Sequence, residues 1–287
     1  MSIVLPTVHP WPAVAAAVDA LLNQETDCVF EILLLDGSGA ALSESPDPRV
    51  RWLEFPGSDS FALRAAGIAA ARGRIVAITE DHCITPPTWV GTIVAAHEAE
   101  QTLVLVGATM NHPDSAATAI DRANFLLTFA GQTRSRLRIN RQRLPVPTNI
   151  SFKREAVRDG VLPPGTFEYA WLAQMRESGA LGVANTVVLQ HRQCWGSAAP
   201  SVHWASGRSY GATVREWPWK DRVAWWLRVP LLPFRIGAFV LPDLLDGAGG
   251  VPATPADLFS VGLLIAANVC GQVHGAICGA GASRKRL

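Results

Sequence analysis

The sequence predicts an α/β protein with a mostly parallel central sheet. Continuous apolar runs such as Glu31–Leu35 (EILLL) are typical of strands that are covered on both faces. These runs alternate with segments of helical spacing, which is the pattern of successive βαβ units. Side chains that can bind ligands follow several of the runs. Because ligands of open α/β sheets bind at the carboxyl ends of the strands, we expect these side chains to converge.

The predicted elements follow one another regularly up to about residue 110. Pro12 suits the first turn of a helix, and Asp59 or Ser60 can cap another. The predicted strands are Ser2–Pro6, Glu31–Leu35, Arg74–Thr79, Leu103–Thr109, Thr148–Phe152 and Leu181–Leu189. The predicted helices are Trp11–Gln24, 59–72, a helix opened by Pro86 and Pro87, and Phe167–Ser178, which Gly179 ends.

Composition narrows the class of protein. The 287 residues allow one large domain or two smaller ones, and a net charge of +1 provides no general attraction to nucleic acid. Only 17% of residues are charged, against about 25% in ordinary soluble domains, which suggests extra buried or membrane-facing surface. The 5 scattered cysteines form no CxxC pair and indicate a reducing compartment. The N-terminus lacks the basic region of a cleavable signal peptide.

The last third of the chain contains two apolar runs. Val223–Leu245 is interrupted by Pro230 and Pro233, whereas Leu258–Ala282 contains no charged side chain over 25 residues. As a helix the second run would extend about 37 Å, enough to cross a hydrocarbon layer of ~30 Å. One interpretation is a bent helical pair in or across a membrane, whose basic C-terminus favours the cytosolic side. The other is a core hairpin of a soluble protein.

The stretch Ala77–Cys83 (AITEDHC) is the strongest chemical signal. Glu80 and Asp81 repel each other, and a cation relieves that repulsion. Carboxylate oxygens suit Mg²⁺ or Mn²⁺, and the imidazole of His82 favours Mn²⁺. The alternative is a solvated loop at a strand end.

Other candidates are less specific. Asp36 can either cap a turn before Gly37 or accept a hydrogen bond from a ligand. The segment Gly131–Arg158 carries eight Arg or Lys residues and one acidic residue, which suits either a solvated loop or contact with phosphates. Glu168 and His191 carry no distinguishing signal by themselves.

Taken together, six stretches resemble a family 2 glycosyltransferase with the GT-A fold, and TEDHC together with the apolar tail resembles a membrane-associated branch of that family. The six stretches are SIVLPTVHP, EILLLDGSG, ALRAAGIAAARGRIVAITEDHC, PPTWV, NISFKREAV and FEYAWLAQMRESG, and the likeness covers roughly residues 2–192.

The resemblance implies a role for eight residues. Those expected at the nucleotide sugar are Thr7 and Asp36 at the base, Arg64 near the base or diphosphate, and Glu80 at the ribose or donor sugar. Those expected at the metal ion, Mn²⁺ or Mg²⁺, are Asp81, His82 and His191. Glu168 would be the general base.

The sequence departs from the family pattern at four positions. Leu35 and His82 stand where the family usually has aspartates, and Ala65 replaces the usual asparagine. Tyr169 stands where the catalytic aspartate is common, so either the neighbouring Glu168 is the base, as we expect, or the base lies elsewhere, or activity is lost.

The resulting hypothesis is an inverting, metal-dependent, hexosyltransferase-like enzyme. It would transfer sugar from a nucleoside diphosphate sugar to an acceptor hydroxyl, on a lipid-linked or cell-envelope acceptor. Residues 1–216 would form a cytoplasmic GT-A domain and residues 217–287 a membrane-associated helical region. No nucleic-acid partner is expected. Two alternatives stay open: a membrane scaffold that binds nucleotide sugars without catalysis, and an unrelated soluble nucleotide-binding protein.

Overall fold

The computed structural model describes residues 1–40, 47–116, 118–139, 144–157, 167–192, 195–247, 252–281 and 283, without the side chains of 116 and 167–169. Contacts divide the chain into two compact units. Unit 1 comprises Met1–Met110 with Gln132–Arg192, and unit 2 comprises Asn111–Gly131 with Gln193–Leu287. The functional boundary expected at residues 216/217 stays a prediction.

Unit 1 is built on a mixed, curled sheet. Its strands are β1 (Ser2–Thr7), β2 (Glu31–Asp36), β3 (Val50–Glu54), β4 (Ile75–Ile78), β5 (Cys83–Ile84), β6 (Val104–Asn111), β7 (Ile150–Lys153) and β8 (Leu181–His191). They lie in the order β3-β2-β1-β4-β7-β6-β8-β5. β3, β2, β1 and β4 are parallel neighbours, whereas β7 runs antiparallel to β4 and β6, and β5 runs antiparallel to β8. The parallel half therefore presents several carboxyl ends at one edge.

The described α-helices before residue 110 alternate with the strands of unit 1 as predicted, and the full set of described helices includes those of unit 2. They are α1 (Trp11–Leu22), α2 (Ser60–Ala70), α3 (Trp89–Ala99), α4 (Ala119–Phe129), α5 (Phe167–Glu177), α6 (Ala199–Thr213), α7 (Trp219–Arg228), α8 (Leu232–Leu245) and α9 (Pro255–Cys278). Asp59 caps α2 by accepting a hydrogen bond from the amide of Ala62, which is one of the two predicted caps.

The sheet of unit 1 is covered on both faces, as the apolar runs predict. Leu34 of β2 packs with α1 and α3 on one face, and its neighbour Leu33 packs with α2 and α5 on the other. Both leucines are fully buried. Full burial on alternate sides explains why this strand is apolar at successive positions.

Two strands and two α-helices of the described residues were not predicted from the sequence. β3 (VRWLE) carries charged side chains on a strand that is only half-buried, and β5 is two residues long. α4 has Asp121 and Asn124 among its buried residues, so its apolar stripe is interrupted. α6 contains five glycine or serine residues and no continuous apolar face, because its packing depends on close backbone contact.

Unit 2 contains the two apolar runs as helices, as predicted. α7 and α8 are joined by a 3₁₀ turn at Val229–Leu231, and α9 follows. Among the described residues, two helical stretches are long and apolar enough to cross a membrane, Trp219–Leu245 and Pro255–Cys278. Length and composition are the two properties by which these stretches qualify as membrane spans.

α9 packs closely on α6 through glycines of both helices. A β-carbon at any of these positions would overlap backbone atoms of the facing helix, so both helices need glycine for this approach. The glycines are Gly207 and Gly211 on α6, which face Asn268 and Gln272, and Gly271 and Gly275 on α9, which face Trp204 and Arg208.

The α9 helix combines exposed apolar side chains with several buried polar ones. Its polar residues Asp257, Ser260 and Gln272 are buried within unit 2. Its exposed large side chains are all apolar: Leu258, Phe259, Leu263 and Ile277. Val261, Leu264 and Ile265 are also buried, so apolar side chains lie on both sides of this helix.

Candidate active site

The predicted convergence at the strand ends is present in unit 1. Thr7 ends β1 and lies in register with Asp36, which ends the neighbouring β2. Glu80, Asp81 and His82 follow β4, the neighbour of β1 on its other side. His191 ends β8 and is paired with Cys83 of β5, directly after the acidic segment.

Asp81 is the centre of a hydrogen-bond network. Its Oδ2 accepts a hydrogen bond from the Thr7 hydroxyl at 2.6 Å and lies 2.9 Å from Nδ1 of His9. Its Oδ1 lies 2.7 Å from Nδ1 of His82. Burial of Asp81 opposes ionisation, but these hydrogen bonds and the charge of His82 outweigh it and lower the pKa of the carboxyl. Asp81 is therefore an ionised carboxylate whose two oxygens both have partners.

Glu80, His82 and His191 form a second group of potential ligand atoms. The Nε2 atoms of His82 and His191 lie 2.8 Å apart. Glu80 Oε2 lies 3.4 Å from the first and 3.3 Å from the second. The three atoms are within 4.8 Å of one another and can hold a metal ion.

The spacing of these atoms fits a divalent cation. Neighbouring ligands of an octahedral ion with bonds of about 2.1 Å are about 3.0 Å apart. Two imidazole nitrogens and one carboxylate oxygen are a donor set that transition-metal ions accept. The residues present therefore fit Mn²⁺, and Mg²⁺ less well.

The two histidines have opposite protonation preferences. Burial lowers the pKa of His82, but hydrogen bonds to Asp81 and Glu80 outweigh it and raise that pKa to about 10. Burial and the charge of His82 lower the pKa of His191 to about 4. At neutral pH His82 is thus the donor and His191 the acceptor in their contact, with Glu80 beside both. The His82 side chain is 39% exposed, so water screens part of this field.

Asp36 and Arg64 lie at the same end of the sheet. Asp36 is buried, and its Oδ1 accepts a hydrogen bond from the amide of Ser38 at 2.7 Å, so it caps the turn after β2. Arg64 is buried on α2, where its Nη1 lies 3.9 Å from Glu80 Oε1 and its guanidinium covers the ring of Phe61. This arrangement places a positive charge beside Glu80.

Two sets of predicted residues lie wholly or partly outside the described part of the chain. Glu168 is on α5, as predicted, but its side chain is not described. In the basic segment Gly131–Arg158, the described residues do not include Arg141, Arg143 and Arg158.

His9 contributes to the site although the sequence analysis gave it no role. It follows β1 by two residues, and its ring is 55% exposed beside Asp81. Its position two residues after a strand end was the available signal.

The chain belongs to glycosyl transferase family 2, whose model matches residues 2–161. A search of curated proteins found no match. Among solved structures, a mannosyltransferase from Pyrobaculum calidifontis, determined with GDP-Man and Mn²⁺, covers 96% of this chain and 86% of its own at 15% identity, with a TM-score of 0.57. S. aureus TarS 1-349, determined with UDP-GlcNAc, covers 92% and 90% at 12% identity, with a TM-score of 0.47. The α/β GT-A fold is thereby confirmed, and the chain is a glycosyltransferase by family.

Proposed function

We propose that the protein is an inverting glycosyltransferase that uses a nucleoside diphosphate sugar. The observation that supports this most is the grouping of Glu80, Asp81, His82 and His191 at strand ends of a family 2 sheet. Acidic and imidazole side chains that gather at this edge suit a divalent cation, and the cation in turn would bind the diphosphate of a donor.

The donor would bind along the ends of β1 and β2. Thr7 and Asp36 would contact the nucleotide base, with Asp36 also holding the turn that shapes this surface. Arg64 would lie near the base or the diphosphate, and its buried charge would interact strongly with a developing negative charge. Glu80 would face the ribose or the donor sugar, and it is also a candidate ligand of the ion.

His82 and His191, together with a carboxylate from Glu80 or Asp81, would hold Mn²⁺ or Mg²⁺. A bound divalent cation would stabilise the negative charge of the leaving diphosphate. The mannosyltransferase neighbour was determined with Mn²⁺, which is consistent with this assignment. Direct titration of the protein with each ion, in the presence and absence of donor, tests it.

Glu168 would act as the general base. The acceptor hydroxyl oxygen would form a bond to the anomeric carbon as the bond from that carbon to the diphosphate oxygen breaks on the opposite side. The hydroxyl proton would pass to Glu168, and the anomeric configuration would invert. Tyr169 is a poor base near neutral pH because its reference pKa is ~10.

The acceptor is proposed to be lipid-linked or part of the cell envelope. The outward face of α9 is apolar, and exposed apolar side chains continue on α7 and α8 at Trp219, Leu227 and Phe234. A surface of this kind is unfavourable in water and favourable in a bilayer. The catalytic unit would face the cytoplasm, where nucleotide sugars are supplied.

The deciding experiment is a donor panel followed by an assay of transfer. We expect one UDP- or GDP-sugar to raise the melting temperature of the purified protein and to be hydrolysed slowly when no acceptor is present. Glu168→Ala is expected to abolish that hydrolysis and to retain donor binding.

The alternative, a non-catalytic membrane scaffold that binds nucleotide sugars, is favoured by Tyr169 at the usual aspartate position. It predicts the same thermal shift, no hydrolysis and no effect of Glu168→Ala. The other alternative, an unrelated soluble nucleotide-binding protein, is contradicted by the family match over residues 2–161.

A further inference from the structure

We propose that Asp81 is a positioning residue rather than a ligand of the metal ion, that Glu80 supplies the carboxylate ligand beside His82 and His191, and that this set selects Mn²⁺ over Mg²⁺. This inference rests on the proposed glycosyltransferase function and assigns the ligands of its metal site.

The first argument is that both oxygens of Asp81 are already used. Oδ2 serves Thr7 and His9, and Oδ1 serves His82. Asp81 is only 8% exposed. Oδ2 has two hydrogen-bond partners, so a cation could bind it only by displacing Thr7 or His9 in a buried site, which is costly, and Oδ1 could bind one only on the lone pair that His82 does not use.

The second argument is the direction of Glu80. Its Oε2 forms a triangle with the Nε2 atoms of His191 and His82, at 3.3 and 3.4 Å, while its Oε1 is turned toward Arg64 at 3.9 Å. The three nitrogen and oxygen atoms already have nearly the spacing of neighbouring ligands on one ion. A cation could bind them with small side-chain movements, with release of the proton on Nε2 of His82 to solvent.

The contact between Asp81 and His82 explains what Asp81 does. A carboxylate that accepts a hydrogen bond from one ring nitrogen fixes the tautomer and orientation of the imidazole, so that the other nitrogen can bind the ion. Here Oδ1 lies against Nδ1, and the remaining Nε2 points to Glu80 and His191. Thr7 and His9 in turn hold the carboxylate in place.

The donor set determines the choice of ion. Mg²⁺ prefers oxygen ligands, whereas imidazole nitrogens suit transition-metal ions. We therefore expect affinity to rise from Mg²⁺ to Mn²⁺ to Co²⁺, with Mn²⁺ bound at least tenfold more tightly than Mg²⁺.

The test measures metal binding to the full-length protein in detergent, with unbound Mn²⁺ quantified by its EPR signal. Glu80→Gln keeps the size of the side chain and removes its charge, and it is expected to weaken Mn²⁺ binding more than 100-fold. Asp81→Ala is expected to weaken it about 10–100-fold, which is typical for loss of a positioning partner.

Asp81→Asn distinguishes a positioning role from a ligand role. The amide oxygen of asparagine can still accept the hydrogen bond from His82, so we expect binding within about tenfold of the wild type. Pulsed EPR of bound Mn²⁺ is expected to show nitrogen couplings from two imidazoles in the wild type and in both Asp81 variants. Thr7→Val, which removes one hydrogen bond to Asp81, is expected to weaken binding less than Asp81→Ala does.

The inference is overturned if Asp81→Asn loses Mn²⁺ as completely as Asp81→Ala while Glu80→Gln retains it, or if Mg²⁺ binds as tightly as Mn²⁺. Sugar transfer is assayed on the same wild-type preparation with the donor panel. Transfer accompanied by the wrong ligand pattern overturns the ligand assignment alone. The expected ligand pattern without transfer or hydrolysis of any donor contradicts the proposed function alone.

Discussion

The contact between α6 and α9 allows a sharply controlled test of unit 2. At Gly211 a β-carbon would overlap the backbone carbonyl of Gln272 and would lie 2.7 Å from its Cα. Backbone atoms cannot rotate away, so Gly211→Ala must push the two helices apart. Gly262 lies on the exposed side of α9 with nothing within 4 Å of its added β-carbon, and Gly262→Ala is the matched control.

The expected energies have opposite signs. In a helix, alanine is favoured over glycine by about 1 kcal/mol, so Gly262→Ala is expected to stabilise by up to that amount. Gly211→Ala gains the same propensity, but over-packing costs about 1–3 kcal/mol, and the rigid obstacle places it in the upper part of that range. The net expectation is a loss of about 1–2 kcal/mol, so the two variants differ by about 2–3 kcal/mol.

The assay is thermal unfolding in detergent at one protein concentration. With about 2–4 °C per kcal/mol for a unit of this size, Gly262→Ala is expected to melt roughly 5–10 °C above Gly211→Ala, with the wild type between them. Equal melting temperatures for the two variants, or a stabilised Gly211→Ala, would refute the close packing of α6 on α9.

Three further predictions concern catalysis, pH and the membrane. Glu168→Gln is expected to reduce turnover about 10²–10⁴-fold, whereas Tyr169→Phe retains most of it; the reverse pattern in a steady-state transfer assay would move the base to Tyr169. His97 is buried on α3, and burial together with the charge of Lys153 lowers its pKa to about 4. Between pH 6.5 and 4 the unfolded chain therefore binds a proton at His97 that the folded chain does not, so the free energy of unfolding is expected to fall by up to about 3 kcal/mol as pH drops through that window. Urea unfolding at several pH values should show that the free energy of unfolding depends less on pH in His97→Gln than in the wild type. The same pH dependence in both proteins contradicts the assignment. Wild-type protein is expected to stay in the membrane fraction after a carbonate wash, whereas Phe259→Glu combined with Leu263→Glu releases it; wild type recovered in the wash means that the outward face of α9 does not contact lipid.

The fold of unit 1 was predictable because its signals are local. Buried strands such as β2 are apolar at successive positions, since both faces of the sheet are covered. A capping residue or a proline marks the start of α1 and α2. β3 and β5 were missed because a half-buried strand and a two-residue strand carry too little pattern.

The candidate site was predictable in its members more than in their contacts. Thr7 and Asp81 are separated by 74 residues and His82 and His191 by 109, and only the order of strands in the sheet brings each pair together. The sequence and the family resemblance indicated these side chains as ligand types. They could not show that Asp81 contacts Thr7 and His9, or that Glu80 lies beside both imidazoles.

The C-terminal helices show the same limit. The sequence by itself determined that two long apolar runs exist, because hydrophobic content is a property of the residues alone. Only the tertiary structure decided that α9 turns Asp257 and Gln272 inward and Phe259 outward. It also decided that glycines of α6 and α9 face each other, because the approach of two helices depends on which residues meet across sixty positions of intervening chain.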